Sequence, residues 1–418
     1  MTEQTENAGR LFAERQRRIY DAVALKPVDR VPIMYHTNFW FAKYSGIPIR
    51  RFLYEYDLVS EVTKKIVAEL DPDAVGPPHA TTTLGAIMDL LGYRQLEWPG
   101  HGAADNVSYQ YRDREWMTAE EYDEYIDEPS WYYFTKFMPR IADAYAHLAK
   151  LPKFAGWQHT RMILCARFFG DPEVIGGFTK LGEAGREAVK MWDAANAFVA
   201  ELATLGWPAS VLATCSAPYD FFADTLRGSK GIMLDLRRRP DKLLAAMERA
   251  IPLILRVTIP PKLGPCRLIF MPMHWSIDGF MSPDQFRRFF WTPLRKIVMA
   301  LIDAGLVPIV FWEGNCTSRL EIIADIPKGK CIYWFESGNI FRAKEVLGDH
   351  VCLRGNVPAS MLNGGTPDEV TAYSKKLIEI VGKNGGFMLD GAIGIPDEAK
   401  LENVKAMYAA VHRYGRYD

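Results

Sequence analysis

The stretch SPDQFRRFFWTPLRKIVMALIDAGLVPIVFWE, residues 282–313, contains one complete helix–strand unit. Its opening Ser-Pro pair is a typical helix start, because a hydroxyl can cap the first turn and proline lacks an N–H where none is needed. The spacing predicts a helix over 284–304, ended by Gly305. The following run, 307–313, is apolar on both faces and ends in the carboxylate of Glu313, which is typical of a buried parallel strand. The stretch therefore favours an α/β fold.

Short apolar runs of the same kind recur along the chain. They number about eight, and helical patterns separate most of them. No glycine-rich dinucleotide loop accompanies them. Parallel strands that alternate with helices favour a (β/α)8 TIM barrel. The predicted strands are 30–36, 73–78, 209–215, 268–274, 307–313, 331–336, 351–355 and 387–390.

The chain is longer than a bare barrel requires. A TIM barrel needs about 250 residues, so roughly 170 of the 418 residues are additional. We expect a loose tail at 1–10, an N-terminal amphipathic helix over 11–24, and an insertion at about 91–205. The aromatic-rich insertion is predicted to cap one barrel mouth, with ordinary core helices or a dimer face as alternatives, and 1–418 is predicted to be a single domain. The aromatic residues are Trp98, Trp116, Tyr122, Tyr125, Trp131, Tyr132, Tyr133, Phe134 and Trp157.

The composition argues against several classes of protein. Lys and Arg number 50 against 51 Asp and Glu, a formal net charge of −1, whereas nucleic-acid-binding proteins carry a basic surface. No apolar run approaches the roughly 18 residues of a membrane span, and the polar N-terminus is unlike a signal peptide. Six scattered cysteines without a CxxC pair are typical of reduced thiols. We expect a cytoplasmic enzyme that binds neither nucleic acid nor a membrane.

Polar and charged residues gather where the predicted strands end. In a TIM barrel the catalytic groups lie at the C-terminal ends of the strands and in the loops that follow. Arg354 or Arg227 could hold an anionic substrate with two hydrogen bonds, although Arg227 could instead pair with Asp224. Catalytic roles are predicted for Glu313, His274, Asp278 and Asp390. Substrate-binding roles are predicted for His36, Tyr219, Asp220, Arg227, Asn315, Arg354 and Asn356.

Glu313 and His274 are the strongest individual candidates. A carboxylate that closes a buried strand needs a hydrogen-bond partner, a cation or a raised pKa, so Glu313 is predicted to be a metal ligand or a general acid/base. An ion pair with Arg319 is the alternative. A neutral imidazole at His274 can bind a metal or transfer a proton, and Asp278 could fix its tautomer. The alternative for His274 is a structural cap on its strand.

Motifs spread along the chain are shared with one known superfamily. ALKPVDRVPI at 24–33 is similar to an opening GxxPDRVP motif, and DGFMSPDQF at 278–286 is similar to a GFMSPxxF segment. Both motifs resemble the uroporphyrinogen decarboxylase-like superfamily, and the resemblance implies a TIM barrel independently of the strand count. Further similar segments are EGN at 313–315, PKGK at 327–330, AKEVLG at 343–348, GNVP at 355–358, GGTPDEV at 364–370 and GGFML at 385–389.

The resemblance implies one of two chemistries. One is cofactor-free decarboxylation of acetate side chains on a porphyrinogen, and the other is methyl transfer involving corrinoid proteins, thiols, pterins or methoxylated compounds, often at zinc. Decarboxylases of this type carry an arginine motif, RQAGR, where this chain has YHTNFWFAKY at 35–44. Thiol methyltransferases carry HxCGN and a later Cys, where this chain has FWEGN at 311–315 and Ile393. The chain is therefore expected to be a divergent member.

These departures favour a methyltransferase of the O-demethylase type, which moves a methyl group from a small methoxylated or methylated compound to a corrinoid protein or to tetrahydrofolate. Glu313, His274 and Glu336 are candidate ligands of a zinc ion acting as a Lewis acid on an ether oxygen, and acid/base catalysis is the alternative for the first two. A cofactor-free carboxy-lyase acting on a small aromatic or pyrrolic acid is the second hypothesis. A barrel that has lost catalysis and binds a ligand or a partner is the third. A homodimer is a further expectation.

Overall fold

The computed structural model describes residues 3–152 and 158–417. Within them, eight parallel strands form the core of the fold, and each lies inside one of the predicted runs. The strands are shorter than the runs because the flanking residues leave the ladder of backbone hydrogen bonds. They are β1 Met34–Tyr35, β2 Ala74–Val75, β3 Ala213–Thr214, β4 Leu268–Met273, β5 Val307–Trp312, β6 Ile332–Phe335, β7 Cys352–Arg354 and β8 Phe387–Met388.

The strands close into a ring. β3 to β8 pair side by side in chain order, and β1 pairs with β2. Two single parallel bridges join these groups: Val75 pairs with Ala209, just before β3, and Ile33 pairs with Leu389, just after β8. The predicted (β/α)8 TIM barrel is therefore confirmed.

Apolar side chains fill the interior of the barrel. Successive residues of a strand point to opposite faces, and alternate residues of β5 and β6, such as Ile309 and Phe311, belong to one buried inner cluster. The first helix, Glu3–Val23, contributes Ile19 to this cluster. Because the cluster includes the first residue of β4, Leu268, the helix closes the N-terminal end of the barrel.

The first helix begins earlier than predicted. The loose tail predicted for 1–10 is wrong from Glu3 onward, because the helix continues back to that residue. Its first turns are rich in good helix formers, and Arg10 donates a 2.8 Å hydrogen bond to Glu14 one turn further on. The amphipathic pattern predicted only the part of the helix that packs against the barrel.

Helices cover the outside of the barrel. The predicted Ser-Pro start is confirmed, because the hydroxyl of Ser282 accepts a 3.2 Å hydrogen bond from the backbone N–H of Gln285, and Gly305 has a left-handed φ of +77° beyond the helix end. The α-helices around the strands are Trp40–Ser45, Ile49–Phe52, Tyr56–Leu70, His79–Thr82, Gly85–Leu91, Pro218–Asp220, Gly228–Arg238, Pro240–Thr258, Pro283–Gln285, Thr292–Asp303, Leu320–Ile323, Ile340–Leu347, Ala359–Gly364, Pro367–Ile380 and Leu401–Tyr414. Two π-helical stretches, Phe221–Arg227 and Phe286–Trp291, and the 3₁₀ turn Thr317–Arg319 complete this layer.

The insertion has its own small sheet, and its buried aromatic residues join the main hydrophobic core around the barrel. Tyr122, Tyr125 and Tyr132 are fully buried, so these predicted aromatic residues pack among themselves and against the adjoining helices rather than line a mouth. Phe134 is half exposed, and Trp157 lies outside the described residues. The strands of the insertion are Leu96–Pro99, Gly102–Ala103 and Gln110–Tyr111. Its helices are Ala119–Glu121, Tyr122–Asp127, Pro129–Tyr132, Tyr133–Phe137, Met138–Ile141, Asp143–Lys150, Thr160–Leu164, Cys165–Gly170 and Pro172–Thr204.

None of the helices in the described part of the chain is both long and apolar enough to cross a bilayer.

Candidate active site

The inner faces of the strands continue beyond their C-terminal ends into the predicted site residues. Glu313 lies two positions after Phe311, and Glu336 lies two positions after Trp334, both of which belong to the inner cluster. Because side chains alternate along a strand with a period of two, these carboxylates stay on the inner side. In the same register His36 follows Met34, His274 follows Phe270, Arg354 and Asn356 follow Cys352, and Asp390 follows Met388.

His274 follows β4, and both nitrogens of its ring face carboxylates. Nδ1 lies 2.6 Å from Oδ2 of Asp224, and Nε2 lies 3.5 Å from Oε1 of Glu313. The backbone N–H of His274 donates a 3.0 Å hydrogen bond to Oδ2 of Asp220. Ionised carboxylates only accept hydrogen bonds, so an imidazole that carries protons on both nitrogens matches this environment.

The pKa of His274 agrees with that geometry. Burial lowers the pKa, but the hydrogen bond to Asp224 and the charges of Glu313, Asp224 and Asp220 outweigh burial and raise it to about 9. The imidazole is therefore positively charged at neutral pH, whereas the sequence favoured a neutral ring. The His274 side chain is 40% exposed, so part of the ring is accessible from the barrel mouth.

Asp224 is the residue that orients His274. Its Oδ2 accepts from the imidazole, and its Oδ1 accepts a 2.8 Å hydrogen bond from Nε1 of Trp275. Asp220, one turn earlier, accepts from the backbone N–H groups of His274 and Trp275. Burial, and then the charge of Asp224, raise the pKa of Asp220 well above its ordinary range. The two aspartates thus hold the His-Trp segment from both its backbone and its side chains.

Asp278 does not fix the tautomer of His274, contrary to the sequence prediction. Its Oδ1 accepts a 2.7 Å hydrogen bond from the hydroxyl of Ser318 and lies 3.3 Å from Nε of Arg319. The ion pair with Arg319 that was the alternative for Glu313 is therefore wrong as well, because this arginine pairs with Asp278. Asp278 joins the loops after β4 and β5.

Glu313 is held at the mouth by a turn that requires glycine. The next residue, Gly314, has a left-handed φ of +67°, and a Cβ on it would lie 2.5 Å from Cγ1 of Ile277. The backbone N–H of Gly314 donates to the carboxylate of Glu336. Burial raises the pKa of Glu313, His274 opposes this, and the nearby charge of Glu336 adds to the increase.

The predicted zinc ligands converge only in part. His274 and Glu313 face each other, whereas the carboxylate of Glu336 is turned to a backbone N–H. No group of three His, Cys, Asp or Glu side chains within residues 3–152 and 158–417 is arranged to hold a metal ion. Catalytic zinc sites use three protein ligands, so the donor set falls short of that pattern. Zinc remains a prediction from the sequence.

Below the barrel mouth, the positive charge of Arg354 is neutralised by Asp390. Nη2 of Arg354 lies 2.6 Å from Oδ2 of Asp390, and both side chains are almost fully buried. The guanidinium also stacks 3.9 Å above the ring of Trp334, and the rings of Trp334 and His36 are perpendicular with their centroids 5.0 Å apart. Burial, and then the charge of Arg354, lower the pKa of His36 to about 3, so this histidine is uncharged. Because Asp390 already neutralises it, Arg354 is not a free cation for a substrate carboxylate.

Arg227 is likewise committed to other residues. Its Nε lies 2.6 Å from Oδ2 of Asp235, and both side chains are buried, while its Nη1 pairs with Glu115. The alternative pair with Asp224 is wrong, because Asp224 binds His274 instead. The structure therefore gives Arg227 a place in the packing of the insertion rather than at the His274 site.

The other predicted binding residues have structural contacts. Oδ1 of Asn315 accepts a 3.1 Å hydrogen bond from the backbone N–H of Thr317, which caps the next turn. Nδ2 of Asn356 donates a 3.2 Å hydrogen bond to the carbonyl of Gly338. Tyr219 is fully buried, and its hydroxyl has no hydrogen-bond partner among the described residues.

Sequence reasoning missed Asp224, Trp275 and Tyr111. Tyr111 lies on the small sheet of the insertion, and its side chain is 73% exposed. Burial of its hydroxyl, and then the charges of Asp224 and Glu313, raise the pKa of Tyr111, so the hydroxyl lies within the electrostatic reach of these two carboxylates. Asp224 lies four residues after Asp220 in one helical segment, a spacing that places both on one side of a helix. That spacing was the available signal for Asp224, whereas no local pattern marks Tyr111.

Comparison with known proteins agrees with this architecture. The family model for uroporphyrinogen decarboxylase (URO-D) matches residues 191–414, which is more than half of the 418 residues. The chain therefore belongs to the uroporphyrinogen decarboxylase family. Together with the low identities below, this confirms the predicted divergent membership of the wider superfamily.

Named relatives share only part of their length with this chain. A uroporphyrinogen decarboxylase from Pseudoalteromonas translucida is 31% identical over 143 residues, 33% of this chain and 40% of the relative. One from Thioalkalivibrio sulfidiphilus is 24% identical over 190 residues, 44% of this chain and 52% of the relative. The chain thus spans about half or less of the length of the curated relatives that it matches. A solved structure, a methyltransferase from Methanosarcina mazei, shares the fold with a TM-score of 0.63 and 18% identity, covering 96% of this chain and 98% of that one.

Proposed function

We propose that this protein is an enzyme that demethylates a small methoxylated or methylated compound and passes the methyl group to a corrinoid protein or to tetrahydrofolate. The observation that carries the proposal is the position of the His274 imidazole at the barrel mouth, 2.6 Å from Asp224 and 3.5 Å from Glu313, because two carboxylates facing its two nitrogens favour the protonated ring. Cleavage of a methyl ether leaves an alkoxide or phenoxide, and a positioned acid stabilises that charge.

In the proposed step, the acceptor supplies an electron pair to the methyl carbon and the oxygen–methyl bond breaks. The bonding electrons remain on oxygen, which takes the proton from Nε2 of His274 and leaves as an alcohol or phenol. Asp224 keeps the imidazole oriented, and Glu313 lies close enough to favour its charged form again after the transfer. Water at the open mouth returns the proton.

The charges around His274 favour a substrate without several carboxylates. The carboxylates of Asp224 and Glu313 flank this one imidazolium, and the charge of Glu336 lies close to Glu313. The arginines that the sequence offered as anion ligands, Arg354 and Arg227, are both neutralised by buried aspartates. A polycarboxylate would meet net repulsion at this mouth, whereas a neutral methylated compound would not. The aromatic rings of Trp275 and Phe280, 4.8 Å apart, provide an apolar flank.

The name of the methyltransferase with the same fold is compatible with this proposal, and the names of the decarboxylase relatives support the alternative. A carboxy-lyase would lose carbon dioxide from a small aromatic or pyrrolic acid, and the same imidazolium would protonate the carbanion. That alternative requires His274 itself to attract the substrate, because Arg354 is already neutralised by Asp390.

The test uses one set of reactions for both chemistries. Purified protein is incubated with methoxybenzenes and methoxybenzoates and with either a reduced corrinoid protein or tetrahydrofolate. Demethylated product, methylated acceptor and carbon dioxide are measured in the same samples. We expect demethylation that falls about 10²- to 10⁴-fold in His274→Gln and is unchanged in Asp241→Asn, whose side chain is 90% exposed. Carbon dioxide without methyl transfer would replace this proposal with the lyase, and demethylation that survives His274→Gln would exclude the proton-donor role.

A further inference from the structure

The edge strand of the small insertion sheet, Gln110–Tyr111, ends in an aromatic side chain that the rest of the fold leaves open. Tyr111 lies opposite Leu96 in this sheet, and its side chain is largely exposed. Residues two apart in an extended chain lie on the same face, and the rings of Tyr109 and Tyr111 are perpendicular with their centroids 6.1 Å apart. The two tyrosines therefore form one aromatic row.

One end of this row packs against the loops that follow β1 and β8. The ring of Tyr109 has its centroid 5.9 Å from that of Phe39, a buried residue that follows β1. The backbone N–H of Phe39 donates a 2.7 Å hydrogen bond to Oδ1 of Asp397, which follows β8. Because the C-terminal ends of the barrel strands open on one side, Tyr109 packs at the rim of the barrel mouth.

The other end of the row lies beside the helical segment that carries Asp224. Nε2 of Gln95 donates a 3.0 Å hydrogen bond to the carbonyl of Thr225, the residue after Asp224. The backbone N–H of Arg112 donates a 2.9 Å hydrogen bond to the carbonyl of Gln95. The strand that contains Tyr111 is therefore held next to this segment.

Residues 109–111 thus cross the barrel mouth. They run from the rim at β1 and β8 to the side at which His274 and Glu313 face each other, and the hydroxyl of Tyr111 lies within the electrostatic reach of Glu313. Because Tyr111 belongs to a row that packs at the rim, its open surface faces the space above the His274 site. A ligand at that site would cover this surface.

Trp275 and Phe280 provide a second aromatic surface at the same place. Nε1 of Trp275 donates a 2.8 Å hydrogen bond to Oδ1 of Asp224, and its ring lies 4.8 Å from that of Phe280, which is itself exposed. Aromatic rings attract each other by more than the burial of their area, through offset or edge-to-face packing. Open rings near one proton donor therefore favour an aromatic ligand over a saturated one.

We propose that Tyr111 determines the specificity of this site for an aromatic methyl ether, whose ring packs against that of Tyr111 while the methoxy oxygen faces Nε2 of His274. The methoxy group in this proposal rests on the proposed demethylation, whereas the aromatic ring rests on the position of Tyr111. The contact is made by the ring of Tyr111, and its hydroxyl is not required.

The test compares two probes that differ only in the ring, 2-methoxyphenol and 2-methoxycyclohexanol. Their Kd values for the full-length protein are measured by ligand-observed NMR titration without a methyl acceptor. We expect the wild type to bind 2-methoxyphenol more tightly. Tyr111→Ala should weaken 2-methoxyphenol binding about 3- to 10-fold and should change 2-methoxycyclohexanol binding by about twofold or less. Tyr111→Phe, which keeps the ring, should bind 2-methoxyphenol within about twofold of the wild type.

Phe134→Ala is the matched control, because Phe134 is a half-exposed aromatic residue of the insertion that lines a groove with Leu253 of the outer helix Pro240–Thr258. It should leave both Kd values unchanged, and circular dichroism verifies the fold of each variant. A wild type that binds both probes equally, or neither, would overturn the proposal. Equal weakening of both probes by Tyr111→Ala would overturn it too, as would a Tyr111→Phe variant that binds as weakly as Tyr111→Ala.

The binding test is separate from the test of the proposed demethylation, because no acceptor is present. Binding of 2-methoxyphenol as expected, with no demethylation when an acceptor is added, would support the role of Tyr111 and count against the proposed function. Demethylation of an aliphatic methyl compound by a protein that does not bind 2-methoxyphenol would overturn only the role of Tyr111.

Discussion

Replacing Asp224 with asparagine is expected to lower the pKa of His274 and so to reduce the fraction of the protonated imidazole near neutral pH. Asparagine keeps the size of the side chain but removes the negative charge that lies 2.6 Å from Nδ1. Burial of the imidazole then acts with less opposition, because only the charges of Glu313 and Asp220 remain to raise the pKa. The direction of the change follows from the loss of the closest anion.

The size of the effect follows from the two pKa values. With a pKa of about 9, the charged form of His274 exceeds the neutral form about 30-fold at pH 7.5. A return to the ordinary value of 6.5 would leave the neutral form about tenfold in excess at that pH. Since Glu313 and Asp220 still act, we expect a decrease of at least about one pKa unit, a tenfold change in the ratio of the two forms.

The assay is an NMR titration of the imidazole protons between pH 5 and pH 10. The chain has eight histidines, and the resonance of His274 is identified by its absence from His274→Gln. Asp278→Asn is the matched control, because Asp278 lies close in sequence but binds Ser318 and Arg319. Equal decreases in Asp224→Asn and Asp278→Asn, or a wild-type His274 that titrates near 6.5, would refute the geometric argument.

Three further predictions concern stability. Because the pKa of His274 in the folded state is raised from 6.5 to about 9, the charged imidazole stabilises the folded state fully below pH 6.5, and this stabilisation is lost as the pH rises through 9. The melting temperature of the wild type should therefore fall between pH 6.5 and pH 9 relative to that of His274→Gln. Arg354→Met leaves the buried charge of Asp390 unpaired and should lower the free energy of unfolding, measured in urea, by about 3–5 kcal/mol. Adding Asp390→Leu in the same chain should recover most of this loss, and a double variant as unstable as the single one would contradict the prediction. Gly314→Ala should destabilise the protein by about 1–2 kcal/mol because Gly314 has a left-handed φ. Gly279→Ala should change the melting temperature little, because a Cβ on Gly279 would have nothing within 4 Å, and equal effects of the two substitutions would be inconsistent with a turn that requires glycine.

Much of the barrel could be predicted from short patterns. A strand buried on both faces must be apolar at nearly every position, so each of the eight strands lies within a run that the sequence marks. Because side chains alternate along a strand, the residue two positions after the inward-facing Phe311, which is Glu313, also lies on the inner side. The grouping of His274 and Glu313 at one mouth follows from that geometry, because parallel strands end on the same side.

The partner of each charged group could not be predicted in the same way. Sequence proximity suggested Asp278 as the partner of His274, yet the partner is Asp224, fifty residues earlier. The partner of Arg354 is Asp390, which follows the neighbouring strand β8, rather than a substrate.

The sequence by itself determined the barrel, its strands and the mouth at which polar groups collect, because these depend on apolar periodicity within a single segment. The tertiary structure alone decided which carboxylates hold His274 and which arginines are neutralised. A hydrogen bond is made at about 3 Å, and only the packing of loops from different strands sets which atoms come that close.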